Sequence, residues 1–269
     1  MRVTFWGVRG SLPCPGPQYL KYGGNTSCVE VSVGGETIIL DAGTGLRACG
    51  LNLLRSGVSS GHIFLSHLHH DHIMGFPFFG PAYDPKFHLS VYASQRPRQT
   101  LRGAIEAYMS EPFFPVSLSE VMPSVTFSDL SPTETIRLGQ ATVRLFALNH
   151  PGGATGYRIS CDGKSVSYIT DVEHQEGRLD SNLVDFIDGS SVFIYDSTYS
   201  DEQYPNYVGW GHSTWQQAHR LGEAASVGKT VIFHHDPSHD DDFMEGLERE
   251  ACTLSDRLMV AKENLILEL

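Results

Sequence analysis

Short apolar runs, each closed by a polar or glycine-bearing turn, recur along this chain and predict strands. They fall at Val3 to Trp6, Ser27 to Val33, Thr37 to Leu40, His62 to Leu65, His88 to Tyr92, Ala141 to Ala147, Thr155 to Ser160, Ser165 to Ile169, Ser191 to Tyr195 and Thr230 to Phe233. Gly34-Gly35 and Asp162-Gly163 are hairpin turn signals between neighbouring runs. Helical spacing predicts helices from beyond Gly45 to Ser56, over Arg98 to Tyr108 and over Leu179 to Ile187. A further helix is introduced by Ser213-Thr214-Trp215-Gln216, read as a capping box, with Trp215, Ala218, Leu221, Gly222 and Ala225 as its apolar stripe and Gly228 as its stop. The last helix follows Asp240-Asp241-Asp242, with Phe243, Leu247, Ala251, Leu254 and Leu258 predicted to face inward. Phe76 to Tyr83 reads as a loop, and residues 110–132, broken by prolines, as a loop-rich insertion with a short strand near Val125-Thr126-Phe127. No linker or short repeat divides the chain, so the expectation is one domain over residues 1–269.

The polar residues that close these runs bring in the chemistry. Ser66 to Gly75 reads Ser-His-Leu-His-His-Asp-His-Ile-Met-Gly and places His67, His69, Asp71 and His72 directly after an apolar run. Any one of them alone would be an ordinary loop histidine or aspartate, but together they form a spacing that can feed two adjacent metals from one turn. Imidazole with carboxylate suits zinc, manganese or iron, whereas calcium and magnesium prefer oxygen alone. Asp41, His67, Asp171, Asp196 and His234 each follow an apolar strand. Five such strand ends point to one convergent site.

Composition narrows the class. The 269 residues are ordinary for a globular chain and contain no apolar run long enough to span a bilayer. The N-terminus, interrupted early by glycine and arginine, lacks a signal-peptide apolar stretch, so the expectation is a cytoplasmic protein without membrane contact. The five scattered cysteines make no Cys-x-x-Cys pair, which argues against a disulfide framework and a zinc knuckle. A formal charge of −12 argues against extended contact with a phosphate backbone. Two divalent cations would offset about four of those charges locally and still admit a small anion.

The His67-x-His69-x-Asp71-His72 run, His150 in Asn-His-Pro-Gly-Gly, Asp171 in Ile-Thr-Asp and His234 in Ile-Phe-His-His-Asp-Pro resemble the metallo-β-lactamase-fold hydrolases over nearly the whole chain. Phe5 to Ser11, Gly23 to Cys28 and Gly211-His212-Ser213-Thr214 resemble the phosphodiesterase branch, which includes ribonuclease Z and small cyclic-nucleotide phosphodiesterases. The resemblance implies an α/β fold, a four-layer αββα sandwich of two mixed β-sheets flanked by helices. It implies two divalent metal ions, with zinc the first choice and manganese or iron compatible. His67, His69 and His150 would hold one, Asp71, His72 and His234 the other, with Asp171 bridging. His235, next to His234, is the alternative ligand or a supporting group. The chain departs from the ribonuclease Z pattern at Asp196, where that pattern has Glu, and lacks a Gly- and Pro-rich basic arm.

Other roles remain with alternatives beside them. Asp41 reads as a carboxylate that orients a ligating imidazole, or as a strand-end turn residue. His212, beside a helix start, reads as a general acid oriented by Asp196, or as a solvent-facing histidine. Asp71 joins His212 and Asp196 in the expected catalytic set. Asn25 and Arg9 are candidates to line a substrate pocket, or turn residues. The expected activity is hydrolysis of a small phosphodiester such as a cyclic nucleotide, by a hydroxide held between the metals, with transfer RNA disfavoured and a homodimer left open. The rival readings are a lactone, thioester or β-lactam hydrolase on the same scaffold, a di-iron redox protein, and a non-enzymatic nucleotide or metal sensor.

Overall fold

The computed structural model describes residues 1–269. Fourteen strands form two seven-stranded mixed sheets. The first contains β1 (Arg2–Gly7), β2 (Cys28–Val33), β3 (Glu36–Leu40), β4 (Ser60–Phe64), β5 (His88–Ser94) and β6 (Thr126–Leu130). The second contains β7 (Thr135–Leu138), β8 (Ala141–Leu148), β9 (Ala154–Cys161), β10 (Lys164–Ile169), β11 (Val192–Asp196), β12 (Lys229–Phe233) and β13 (Leu258–Val260). The chain's last strand, β14 (Ile266–Glu268), returns to pair antiparallel with β1 in the first sheet.

The sheets pack face to face because their strands bury residues on both sides. Phe5, Val31, Leu40 and Phe64 from the first sheet meet Val143, Tyr157, Ile194 and Phe233 from the second in one core. On the outer face of the first sheet, Ile39, Ile63 and Val91 meet helices α1 (Leu46–Ser56) and α3 (Leu101–Tyr108). A single turn, α2 (His70–Ile73), lies between them in sequence, and α4 (Leu118–Val121) follows inside the proline-rich segment. On the outer face of the second sheet, Ile169, Phe193 and Tyr195 meet α5 (Ser181–Ile187) and α6 (Trp215–Ala224). Helix α7 (Asp241–Leu254) closes the end of that face over Ile232 and Val260. The four layers run helix, sheet, sheet, helix, as expected, and no helix is long and apolar enough to cross a membrane.

Several local expectations change. In α7 the inward residues are Met244, Leu247 and Ala251, whereas Phe243 and Leu254 are exposed and Leu258 opens β13. Helix α6 is capped by Thr214, whose hydroxyl accepts the Gln217 amide, instead of by Ser213. The capping box belongs to α4, between Ser117 and Glu120.

Strand direction positions the site. β3, β4 and β5 run parallel in one sheet, and β10, β11 and β12 run parallel in the other. β8 is antiparallel to β9, which is antiparallel to β10, so β8 shares the direction of β10. All these carboxyl ends therefore open toward one rim. Asp41, Asp171 and His234, each just past a strand, have φ of 62°, 55° and 63°, left-handed values that side-chain-bearing residues seldom adopt. The chain turns back sharply at each and delivers its side chain to the rim.

Candidate metal centre

The structure brings together seven of the residues named for metal binding. The ligand atoms of His67, His69 and His150 form one group, those of Asp71, His72 and His234 another, and Asp171 joins His67 and His72 in a third. Asp171 stands between the first two. Its Oδ1 lies 3.8 Å from Nε2 of both His67 and His150, and its Oδ2 lies 3.1 Å from Nε2 of His72 and 3.4 Å from Nε2 of His234. Asp71 Oδ2 is 3.1 Å from His72 Nε2 and 3.3 Å from His234 Nε2. Nε2 of His67 and of His72 is buried and makes no hydrogen bond, so it is aimed at the space the carboxylates share. Orphaned imidazole nitrogens facing carboxylate oxygens are what a borderline divalent cation takes as ligands, so the residues present fit two such ions.

The other ring nitrogens are fixed by partners. His72 Nδ1 donates to Asp41 Oδ2 at 2.8 Å. His67 Nδ1 donates to Ser66 Oγ at 3.0 Å, and that hydroxyl donates to Asp41 Oδ2 at 2.8 Å. Asp41 thus contacts His72 directly and His67 through Ser66, with the Ser66 amide and the Tyr168 hydroxyl also donating to it at 2.6 and 2.8 Å. His150 Nδ1 donates to the Gly211 carbonyl at 2.8 Å. His234 Nδ1 donates to Thr198 Oγ1 at 3.0 Å, and Thr198 donates to Asp196 Oδ1 at 2.8 Å. Ser66, Tyr168 and Thr198 carry no signal in the sequence that separates them from ordinary core hydroxyls. The Phe5 to Ser11 run acts here too: the Ser11 amide donates to Asp71 Oδ2 at 2.8 Å, and a β-carbon at Gly10 would stand 2.4 Å from the His234 ring.

Burial pulls the His67, His69 and His150 pKa values below the ordinary histidine range, with neighbouring imidazoles adding to the effect at His67 and His69, and keeps the rings neutral. Burial acts the same way on His72, but Asp171, Asp71 and Asp41 outweigh it and push its pKa up. Asp71 is buried, which favours its neutral form, yet His72 and His234 hold it well below the usual carboxylate range. Asp71 and Asp171 are thus held ionised, and the attraction they exert on the neighbouring imidazoles is the attraction they would exert on a cation.

His212 sits at the rim, with Nδ1 donating to Asp196 Oδ2 at 2.8 Å and lying 3.9 Å from Asp171 Oδ1. Burial lowers its pKa, but the attraction and hydrogen bond of Asp196 prevail, helped by Asp171 and Asp71, and push it up to about 9. Two expected pocket residues are elsewhere. Arg9 is fully buried and donates to the carbonyls of Gly23, Asp236 and His239, so it holds loops together. Asn25 is tied to Glu263 at 3.0 Å, in a surface hollow that contains none of the clustered histidines. His235 is turned away, its Nε2 2.9 Å from the Ala261 carbonyl, so His234 is the histidine that faces the centre.

A family model described as a β-lactamase superfamily domain matches residues 36–235, and the chain belongs to that family. Within it the similarity is to the phosphodiesterase branch. Ribonuclease Z of Haloarcula marismortui is 26% identical over 181 residues, covering 65% of this chain and 52% of that protein. Ribonuclease Z of Haloferax volcanii is 22% identical over 318 residues, covering 100% of this chain and 95% of that protein. The crystal structure of the short form of human tRNase Z superposes with a TM-score of 0.70 at 20% identity, covering 100% of this chain and 99% of that one, a likeness of fold. These relatives overturn the expectation that transfer RNA is disfavoured. The physical reason is that a net charge of −12 averages the whole surface, whereas a nucleic acid responds to the local potential where it docks.

Proposed function

We propose that this chain is a metal-dependent phosphodiesterase in which His67, His69 and His150 hold one divalent cation, Asp71, His72 and His234 hold a second, and Asp171 bridges them. The observation that carries the reading is the split of Asp171, one oxygen facing His67 and His150, the other facing His72 and His234. Zinc is the first choice of metal, with manganese and iron compatible with the same donors. Bound there, such cations supply Lewis acidity, an activated water and neutralisation of charge on the phosphoryl group.

The chain's own residues supply the rest. Asp41, through His72 and Ser66, holds the ligating rings in one tautomer. Asp196 accepts from Nδ1 of His212, which leaves Nε2–H of the imidazolium as the proton to give to the departing alkoxide. The domain spans residues 1–269, a reading supported by the core that both sheets share.

The substrate within this class is a phosphodiester, with cyclic nucleotides the first of the small ones to assay. A second reading, a transfer RNA precursor, is favoured by the names of the relatives. Metal-loaded protein offered 2′,3′- and 3′,5′-cyclic nucleotides, a generic aryl diester, a transfer RNA precursor, a lactone and a thioester distinguishes them. Turnover of a diester supports the reading, and a fully metallated protein that cleaves only esters, or nothing, refutes it. His212→Ala should lower diester turnover by roughly 10²- to 10⁴-fold with metal content unchanged. Unchanged turnover would remove His212 from the mechanism.

A further inference from the structure

Arg96 follows β5 as His67 follows β4, and the two strands are parallel neighbours, so both residues leave the same rim. Between the end of β5, the end of β8 and the turn after His150 lies a cavity of about 320 Å³ whose lining includes His67, His69, Ser94, Arg96 and Gly153. The Nε and Nη2 atoms of Arg96 are shut off from water and have no hydrogen-bond partner. Asp129 attracts the guanidinium from a distance, but its Oδ1 accepts the Leu101 amide at 2.8 Å. Arg9 is better served, its Nε and Nη1 donating to three backbone carbonyls so that Nη2 alone lacks a partner, whereas no hydrogen bond holds the Arg96 fork at either buried nitrogen.

Arg96 is half-buried as a whole, but donor nitrogens withdrawn from water without a partner still cost stability. In a chain of net charge −12 a carboxylate to pair with it would be easy to provide, yet none is in place. The missing partner is then an anion from outside the chain. A planar guanidinium fork matches phosphate with two parallel hydrogen bonds, and a χ rotation of this long side chain swings the fork into the adjoining space. Because His67 and His69 line the same cavity, an anion at Arg96 can belong to the molecule whose diester lies at the metal centre.

We propose that Arg96 receives a second phosphate of the substrate, so that the preferred substrate is a phosphodiester bearing a further phosphate group. This inference rests on the phosphodiesterase reading and narrows it. A cyclic nucleotide phosphorylated elsewhere on its sugar and a polynucleotide with a neighbouring phosphate both present the required pair of groups.

The test uses the metal-loaded full chain and two matched pairs of probes. One is adenosine 2′,3′-cyclic phosphate with and without a 5′-phosphate, and the other is a dinucleoside monophosphate with and without a 5′-phosphate. Turnover is measured with the parent protein, Arg96→Gln and Arg96→Lys, and equilibrium binding of the same probes with these changes in a His212→Ala background. The added phosphate should improve kcat/KM and binding by roughly 10- to 100-fold in the parent, as expected for charge-assisted hydrogen bonds. That ratio should fall to near one in Arg96→Gln and be partly kept in Arg96→Lys. A gain in the cyclic pair assigns a mononucleotide, and a gain confined to the dinucleotide pair assigns a polynucleotide. No gain in the parent, or the same gain in Arg96→Gln, overturns the proposal. If nothing is hydrolysed but binding shows the Arg96-dependent gain, the phosphate site stands and the phosphodiesterase reading falls. The melting temperature of Arg96→Gln should hold or rise, because buried nitrogens that lack a partner are removed, and a clear fall would assign Arg96 to the scaffold and overturn its role.

Discussion

Replacing Asp41 with Asn perturbs both halves of the centre without touching any ligand. Asp41 is fully buried and accepts four hydrogen bonds, from the Ser66 amide, the Ser66 hydroxyl, the Tyr168 hydroxyl and His72 Nδ1. An amide has one oxygen with two lone pairs, and its nitrogen only donates. At least two of the four donors are therefore left facing an N–H₂ group. At about 1–3 kcal/mol for each buried donor left unpaired, Asp41→Asn should destabilise the fold by about 2–6 kcal/mol. The loss of a carboxylate partner also lowers the basicity of His72 directly and of His67 through Ser66, so affinity should fall by roughly 10- to 100-fold at both sites. Thermal unfolding with and without added zinc, and metal titration against a competing chelator, measure the two effects separately. If Asp41→Asn kept the parent's affinity for both metals, the orienting role of this carboxylate would be refuted even if stability fell.

Two other outcomes follow from the geometry. The acid form of His212 prevails below a pKa of about 9, so diester turnover should fall as pH rises through that value. Cations bound beside Asp171 and Asp71 would weaken those two attractions and move the alkaline limb lower, and Asp196→Asn should move it lower still in a pH–kcat profile. An identical limb in that variant would show that Asp196 does not control the acid. In the inter-sheet core, Ile194→Ala removes a fully buried side chain and should cost about 2–5 kcal/mol in chemical denaturation, whereas a loss under about 1 kcal/mol would mean that the two faces are not close-packed there.

The clustered residues were legible in sequence because strand-end chemistry is local: an apolar run fixes the strand, and the next residue shows what the strand delivers. Asp41, His67, Asp171 and His234 are all of this kind. Arg96 obeys the same rule one strand further along, but the polar residues between β5 and the next helix hide it. Ser66, Tyr168 and Thr198 were not legible, because a hydroxyl that relays a hydrogen bond to a ligating ring has the same local pattern as one that caps a turn. Strands β13 and β14 were missed for another reason. Each has three residues, and its pairing with β12 or β1 is a tertiary fact. The apolar stripe of α7 was misplaced because Phe243 stacks on His239 at the exposed helix start, 3.7 Å between ring centroids, while Met244 points inward. Arg9 and Asn25 carried polar chemistry that the fold spends on holding loops.

Anomalous diffraction from crystals of the zinc-loaded protein, collected on both sides of the zinc edge, tests the central claim most directly. Two peaks should appear, one among His67, His69 and His150 and the other among Asp71, His72 and His234, with a carboxylate oxygen of Asp171 reaching each. A single peak, two peaks without Asp171 between them, or zinc bound only elsewhere would contradict it.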